Sequence, residues 1–287
     1  MKIIEPKVEL LSELDITSES HIARCARTCY GKEYKEPNQE TDKKMVDGLI
    51  KRGHLSMLRH ASVYLYHLEY ATVYTQAHII NSPYWNCILN LGYASTNFQE
   101  FTQFDANIVP TIIIDNSKFL EACTKNPKLF ELYRMTFCIT TQISTSRELN
   151  RVSPNNIAER STRYCSSKDG LEICRPWWSK SSEEDIINGH CTHKEFLYYI
   201  NAISEAERIY KSLLDEDMKP ENARGILPLD TATKVIYTYS IREWQHILEL
   251  RLYDRTGIAH PNCHVVMQMI KDQINAFAKE HNINYQV

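Results

Sequence analysis

The spacing of apolar residues predicts two helices near the start of the chain. The first covers residues 18–30, where Ser18 is suited to cap the helix N-terminus. Its apolar stripe consists of Ile22, Cys25, Ala26 and Cys29. The second begins at a capping Thr41 and stops at Gly53. Its inward residues are Met45, Leu49 and Ile50.

Four segments carry the composition or alternation typical of strands. Residues 62–70, SVYLYHLEY, alternate and are rich in β-branched and aromatic side chains. Residues 109–114, 135–141 and 231–240 have the same bias. We therefore predict a strand in each of these segments.

Three helices are predicted in the C-terminal part of the chain, over residues 194–217, 241–252 and 262–279. The inward positions of the first are Phe196, Ile200, Ile203, Tyr210 and Leu214. Those of the last are Val266, Ile270, Ile274 and Phe277. Helices and strands do not alternate strictly, so the pattern does not predict a repeated βαβ unit. Residues 80–110 are the most loop-like segment and residues 166–193 the next.

Composition and charge exclude several classes of protein. The chain has 287 residues, a net charge of −3 and a pI near 6.4, which argues against a nucleic-acid-binding protein. It has no run of about 18 apolar residues, so we expect no membrane span. The first residues, MKIIEPKVELLSELD, lack the apolar core of a secretory signal. We therefore expect a cytoplasmic protein.

The cysteines and histidines do not form a convincing metal motif. Nine scattered cysteines favour reduced thiols over a disulfide scaffold. The segment HCTH at residues 190–193 and the pair Cys263–His264 are the local candidates, but zinc usually needs two well-spaced ligand pairs. No metal is expected. Glycine-rich phosphate loops and the GxSxG motif are also absent from the sequence.

Residues 146–165, SRELNRVSPNNIAERSTRYC, are the main candidate binding segment. Guanidinium groups beside serine and threonine hydroxyls can bind an anion through several hydrogen bonds. The arginines are Arg147, Arg151, Arg160 and Arg163. On composition alone, a solvated charged loop is the favoured interpretation, and it is the order of the residues that favours binding.

A second group of candidates lies on the predicted helix at residues 241–252. Arg251 ends an apolar stripe, so its guanidinium must either reach solvent or meet an anion. The opposite stripe holds Arg242, His246 and Glu249. Arg224 stands upstream, before a turn that Gly225 and Pro228 fix.

Four blocks of sequence, in the same order, resemble the flavin-dependent thymidylate synthase family. The early block is ARTCYG at residues 26–31, and the next is GHLS at 53–56 followed by His60 and Ala61. Residues 147–164 resemble the family segment HELVRHR, a spacer and QESTRY. ARGILP at 223–228 and REWQHILELR at 242–251 resemble its last block.

The resemblance implies a fold, a reaction and an assembly. Members have an α+β fold with a mixed sheet flanked by helices, here expected as a single domain over residues 1–287 with a loop-rich segment near 80–110. They methylate dUMP to dTMP and take the one-carbon unit from methylenetetrahydrofolate. Bound FAD, reduced by NADPH, supplies the hydride, and no cysteine nucleophile is needed. The expected assembly is a homotetramer whose sites combine residues from more than one subunit; the other partners are small molecules only, with no nucleic acid and no membrane.

Matching positions carry the implied site residues. Nucleotide contacts fall on Glu148, Arg151, Glu159, Ser161, Arg163, Arg224 and Arg251. Flavin contacts fall on His54, Ser56, Arg151, Ser240, Arg242 and His246. Arg251 also has the implied catalytic role of stabilising negative charge on the pyrimidine ring. Ser161 is assigned to binding because an unassisted serine is a poor nucleophile.

Two departures from the family pattern keep other functions open. The family's Arg-His-Arg triplet is here Arg151, Val152 and Ser153, and the Glu that precedes His60 in the family is here Arg59. We hypothesise that Arg59 or Arg160 replaces the missing cations. The alternatives are a family enzyme that modifies another uridine nucleotide and a nucleotide-binding homologue without catalysis.

Overall fold

A computed structural model of the chain describes residues 1–32, 36–103, 112–152, 156–163, 170–179 and 194–287. The strands are β1 Lys2–Ile4, β2 Lys7–Leu10, β3 Ser62–Tyr66, β4 Asn86–Ile88, β5 Tyr93–Asn97, β6 Ile112–Ile114, β7 Arg134–Gln142, β8 Ile157–Glu159, β9 Glu172–Cys174 and β10 Ala232–Ser240.

The helices are α1 Ser18–Cys29, α2 Gln39–Lys51, α3 Val73–Asn81, α4 Phe98–Gln103, α5 Asn116–Lys125, α6 Ile143–Leu149, α7 Lys194–Asp215, α8 Pro220–Ala223, α9 Ile241–Arg251 and α10 Pro261–Glu280. Short 3₁₀ helices cover Leu55–His60, Leu68–Tyr70, Leu89–Leu91, Pro127–Leu132 and Arg224–Ile226.

The central sheet has the strand order β2-β7-β10-β8, and every neighbouring pair is antiparallel. All nine residues of β7 are buried, so this strand is covered on both faces. The pairing of β7 with β10 sets Thr136 opposite Thr238 and Arg134 opposite Ser240. This register brings polar side chains from both strands together inside the protein.

The rest of the strand pairing confirms the α+β class but corrects the single mixed sheet. A second antiparallel sheet has the order β4-β5-β3-β6, and β1 pairs with β9 in parallel as a separate two-stranded sheet. Hydrophobic periodicity describes one strand at a time, and strand partners depend on the packing of distant segments. The sequence pattern therefore predicted strands without predicting how they group.

The largest core lies between the central sheet and helices α5, α9 and α10. Trp244 is 1% exposed, and its ring stands edge-on to those of Phe137 and Tyr239 at centroid distances of 5.2 Å. Its indole Nε1 donates to the Met135 carbonyl at 3.1 Å. The inward faces predicted for 241–252 and 262–279 are confirmed by this packing.

The predicted helix caps are wrong, although both helices exist. Thr17, not Ser18, accepts a hydrogen bond from the backbone of Ser20 at the start of α1. Asn38, not Thr41, caps α2 and accepts from the Thr41 backbone. In each helix the observed cap precedes the predicted one, and residues that can cap a helix occupy both the predicted and the observed position. Ile50, predicted to face inward, is 46% exposed.

Other predicted elements are shorter or lie elsewhere. The strand predicted at 62–70 ends at Tyr66, because His67 adopts the left-handed conformation with φ 65° and a 3₁₀ turn follows. The loop-like prediction for 80–110 is wrong over 86–103, which holds β4, β5 and α4. These strands have few residues, and their turn residues dominate the local composition.

The long helix α7 confirms the helix predicted over residues 194–217. Phe196, Ile203 and Tyr210 are buried, while Ile200 and Leu214 are half-buried. Glu207 is buried on the same face. Among the described residues, none of the helices is both long and apolar enough to cross a membrane.

Candidate functional site

A surface cavity of about 670 Å³ lies where β8 and the following residues meet the turn before β10. We call it the arginine cavity. Its polar lining consists of Arg147, Glu159, Arg160, Thr162, Arg224 and Thr233, with Ser161 beside them. Three guanidinium groups face one carboxylate here, so the lining is cationic and rich in hydrogen-bond donors. Such a lining suits an anion that carries several oxygens.

Glu159 is fixed in this cavity by its neighbours. Its carboxylate accepts hydrogen bonds from the Ser146 hydroxyl at 2.8 Å, the Thr233 hydroxyl at 3.1 Å and the Asn150 amide at 3.4 Å. The backbone of Glu159 pairs with Val235 of β10, which sets its place in the sheet. A carboxylate can accept about four hydrogen bonds, so one position remains for a ligand donor.

The residues after Glu159 are held by the C-terminal end of α1. The Ser161 backbone N–H donates to the Cys29 carbonyl at 3.0 Å, and the Ser161 hydroxyl accepts from the Arg163 backbone at 3.2 Å. Arg224 donates to the Thr162 hydroxyl at 3.2 Å. The structure therefore brings together the predicted residues Glu159, Ser161 and Arg224.

Arg163 lies at the edge of this group. It is exposed and forms an ion pair with Glu221 of α8 at 3.2 Å. A surface ion pair of this kind contributes little to stability and yields readily to a competing anion. Loss of this ion pair to a ligand oxygen would therefore cost little stability.

A second group of predicted residues does not line the arginine cavity. The Arg251 Nε donates to the Glu148 carbonyl at 3.3 Å, and the Glu148 carboxylate accepts from the His260 backbone at 3.2 Å. Arg151 is exposed, close in sequence to Glu148. Arg224 therefore lines the cavity, whereas Arg163, Arg251 and Glu148 do not.

The predicted flavin residues divide into exposed and engaged side chains. His54 and Ser56 are exposed at the start of the 3₁₀ helix Leu55–His60, and His246 is exposed on α9. These three imidazole and hydroxyl groups remain available to a ligand. The Ser240 hydroxyl does not.

Ser240 requires a correction, and Arg242 has partners of its own. Ser240 is fully buried, and its hydroxyl accepts from the Glu243 backbone as the cap of α9. Arg242 forms an ion pair with Glu131 at 3.0 Å and donates to the Cys87 carbonyl at 3.3 Å. The buried Ser240 hydroxyl is therefore unsuited to flavin contact, whereas Arg242, whose side chain is 41% exposed, stays a predicted flavin contact.

The altered triplet also has a structural explanation. Val152 is 6% exposed and belongs to the main hydrophobic core, where a charged side chain would lose its hydration. Ser153 lies outside the described residues. Arg59 donates to the Gln99 side chain at 2.8 Å, with its guanidinium 5.2 Å from the centre of the Tyr84 ring. Arg59 is therefore engaged by its own neighbours.

A buried polar chain that the sequence did not suggest runs below the 3₁₀ helix Leu55–His60. The hydroxyls of Thr136 and Thr238 lie 2.8 Å apart. Each also meets a buried imidazole, Thr136 that of His21 at 3.0 Å and Thr238 that of His60 at 2.8 Å. This chain connects α1, the central sheet and the 3₁₀ helix. Alternation of polar and apolar residues could not reveal this buried polar chain, because every position of β7 is buried.

The protonation of His21 follows from its partners. Arg24 lies 2.5 Å from His21 Nδ1, and an arginine can only donate, so Nδ1 accepts and His21 is neutral with its proton on Nε2. Burial lowers the pKa of His21, and the nearby Arg24 lowers it further. Glu13 lies 3.3 Å from Nε2, and burial raises the pKa of that carboxyl. Burial also lowers the pKa of His60 to about 3.

Six thiols in the described part of the chain have raised pKa values and are unsuited to nucleophilic attack: Cys25, Cys87, Cys123, Cys138, Cys174 and Cys263. Burial raises the pKa of Cys138 to about 11 and those of Cys123 and Cys174 to about 12. Burial also raises the pKa of Cys263, and the Glu148 carboxylate adds to that effect. A nucleophilic cysteine needs a lowered pKa. Among the described residues, no group of His, Cys, Asp and Glu could hold a metal ion, and HCTH at 190–193 lies outside them.

Comparisons with known proteins agree with the sequence motifs. Residues 92–278 match the family model described as "Thymidylate synthase complementing protein". The chain is 26% identical to the flavin-dependent thymidylate synthase of Synechocystis sp. and 27% identical to the probable flavin-dependent thymidylate synthase of Paramecium bursaria Chlorella virus 1. Each alignment covers 50% of this chain and 69% of the relative.

Solved structures similar to this chain include the UMP/dUMP methylase PolB from Streptomyces cacaoi. In its complex with 5-Br dUMP the identity is 16% and the TM-score 0.43, covering 97% of this chain and 93% of that one. In its complex with 5-Br UMP the identity is 16% and the TM-score 0.45, covering 98% and 93%.

Proposed function

Because this chain belongs to the flavin-dependent thymidylate synthase family, we propose that it methylates dUMP to dTMP, with methylenetetrahydrofolate as one-carbon donor and reduced FAD as hydride source. NADPH as the reductant and a homotetrameric assembly are parts of the same proposal. The observation that carries it is the arginine cavity, where a family motif forms a cationic lining around the fixed Glu159.

The residues of the arginine cavity support phosphate binding. Arg224 and Arg147 are exposed and have no carboxylate partner among the described residues. Arg163 is exposed and forms a surface ion pair with Glu221. The Ser161 hydroxyl adds a further hydrogen-bonding group. We assign the nucleotide phosphate to these residues and the fixed Glu159 carboxylate to a ribose or base donor.

Arg251 and Glu148 support recognition of the pyrimidine from a second subunit. Neither of them lines the arginine cavity of its own chain, and a neighbouring copy would supply them to a common site. The half-buried Arg251 guanidinium keeps its charge and would stabilise negative charge that develops on the ring. Arg151, exposed nearby, would contact the same ligand.

The exposed side chains fit a flavin in part. His54, Ser56, Arg151, Arg242 and His246 present donors that would hold FAD, whereas Ser240 and Val152 are buried. Bound reduced FAD would supply the hydride. The residues of this chain would bind and orient the nucleotide, and the raised thiol pKa values agree with a reaction that uses no cysteine nucleophile.

Calorimetric titration with dUMP tests the nucleotide assignment. Arg224→Ala and Arg163→Ala should each weaken binding at least tenfold, about 1.4 kcal/mol. The matched control is Arg208→Ala, since Arg208 forms a surface ion pair with Glu205 on α7, away from the cavity lining. Unchanged dUMP affinity in both cavity variants would show that the site assignment is wrong. Titration with UMP would identify a family enzyme that acts on another uridine nucleotide.

A further inference from the structure

A second cavity, of about 620 Å³, adjoins the arginine cavity where β2, β7 and β10 lie beside α1. We call it the lysine cavity. Its floor is formed by Cys138, Thr140, Thr233 and Ile236, and α1 forms one wall. Arg160 and Thr233 line both cavities, so the two spaces share a boundary. The volume lies within the usual range for a small-molecule site.

The charged lining of the lysine cavity carries an excess of cations. Five of its side chains are basic and three are acidic. The basic ones are Lys7, Arg24, Lys32, Arg160 and Lys234, and the acidic ones are Glu5, Glu9 and Glu172. The whole chain has a net charge of −3, so this local excess of positive charge runs against the overall composition.

Each acidic side chain of the lysine cavity already has a cationic partner. Glu5 pairs with Arg175 at 2.7 Å, which lies outside this lining, and Glu9 pairs with Lys7 at 2.7 Å. Glu172 pairs with Arg160 at 3.7 Å. Lys32 and Lys234 are exposed and have no carboxylate partner in the described part of the chain. These two ammonium groups are available to a ligand anion.

Arg160 is placed to serve ligands in both cavities. Its backbone N–H donates to the Lys234 carbonyl at 2.8 Å, which fixes the residue against β10. Its guanidinium holds Glu172 at a distance of 3.7 Å, where both side chains are partly exposed and the attraction is weak. A ligand anion would replace Glu172 at little cost.

We propose that the lysine cavity binds the anionic portion of a second ligand beside the nucleotide, through Lys32, Lys234 and the shared Arg160. The chemistry it recognises is a pair of neighbouring anionic groups. Under the proposed function these are the glutamyl carboxylates of the folate or the diphosphate of FAD. Arg160 would then sit between the two ligands and couple their binding through one cation.

Calorimetry at low ionic strength, with inorganic pyrophosphate and triglutamate as probes, tests the proposal. At least one probe should bind the full chain, and Lys32→Gln with Lys234→Gln should raise its dissociation constant at least tenfold. Added salt should weaken binding, because exposed charges are screened. Lys279→Gln is the matched control, since Lys279 is exposed on α10 and lines neither cavity. Its dissociation constant should stay within twofold of the parent.

Competition identifies the source of the anion. Displacement of the probe by methylenetetrahydrofolate assigns the cavity to the glutamyl tail, and displacement by FAD assigns it to the diphosphate. The proposal is overturned if neither probe binds at millimolar concentration, if neither ligand displaces a bound probe, or if Lys279→Gln loses as much affinity as the double variant. A dUMP titration of the double variant should give the same dissociation constant as the parent, so it tests the nucleotide site separately.

Discussion

At the scale of single residues, Val152 shows how this chain differs from its family. Its side chain fills part of the main core at a position where the family resemblance places a flavin-facing histidine. A core position favours an apolar side chain, whereas a flavin-facing position favours a cation or a hydrogen-bond donor. The substitution is therefore part of how this chain packs, and restoring the family residue would disturb the core before it could reach a flavin.

Val152→His should destabilise the protein. A buried imidazole without a hydrogen-bond partner costs about 1–3 kcal/mol, and the larger ring must also fit a packed site. Chemical denaturation should show a lower free energy of unfolding, while Val152→Ile, which keeps an apolar side chain, should change it less. A Val152→His variant of parent stability that binds FAD more tightly would contradict this account.

Ser240 marks the limit of residue-level inference from sequence. Ser240 precedes Arg242 in the motif, so the resemblance gave both the same flavin role. In the structure Ser240 ends β10 and caps α9, with Glu243 completing the capping box. The sequence contains this capping signal, a serine three residues before a glutamate, but the family resemblance implies a binding role for the same serine. Glu159, Ser161 and Arg224 were placed together correctly because they lie in two compact motifs.

At the scale of secondary-structure elements, the buried polar chain from His21 to His60 joins the 3₁₀ helix Leu55–His60 to the sheet. That helix carries the exposed Ser56, with His54 at its start, so its position matters for the site. Hydroxyls of Thr136 and Thr238 provide the link across β7 and β10. Both imidazoles are neutral in the fold, and their protonation would leave a charge buried among cations.

This arrangement predicts that stability falls in mild acid. The folded-state pKa of His60 is lowered from 6.5 to about 3, so its contribution is complete above pH 6.5 and is lost as the pH falls toward 3. His21 acts in the same direction. Each histidine can remove up to about 1.4 kcal/mol per pH unit in this range. Glu13, with its raised pKa, opposes them in part.

Urea denaturation between pH 7.5 and pH 5 would measure this slope, expressed as the change in unfolding free energy per pH unit. His60→Gln removes the titrating group and should reduce the slope, whatever its effect on stability at neutral pH. The exposed His246 provides the control, since His246→Gln should leave the slope unchanged. An equal slope in the parent and in His60→Gln would show that His60 does not govern acid stability.

The elements themselves were largely predictable where the periodicity was long. α1, α2, α7, α9, α10, β7 and β10 lie close to their expected ranges. Short elements such as β4, β5 and β8 were missed, because three to five residues give no reliable period and depend on distant partners. The pairing of β8 with β10 matters most for function, since it fixes Glu159 beside the cavity.

At the scale of the whole molecule, the nucleotide residues fall into two groups. Arg224 and Glu159 line the arginine cavity, whereas Arg251 and Glu148 contact each other and do not line it. We expect the two groups to meet at a site shared between subunits.

Mixing of two inactive variants tests the shared site. Arg224→Ala and Arg251→Ala should each reduce turnover strongly, because each removes a cation from every site. If the two groups meet across a subunit boundary, exchange of subunits between the variants should produce some sites with both arginines intact and restore part of the activity. Arg224→Ala mixed with Arg163→Ala, both at the same cavity, is the control and should restore none. A protein that is monomeric by light scattering and fully active would also contradict the shared site.

The most direct test of the central claim is conversion of dUMP by the purified chain. Given methylenetetrahydrofolate, FAD and NADPH, the chain should form thymidylate, detected by chromatography and mass spectrometry. Formation should depend on each of the three additions and should fall at least tenfold in Arg224→Ala. If dUMP and FAD both bind but no thymidylate forms, the proposed reaction is wrong. The chain would then be a nucleotide-binding protein without this catalysis.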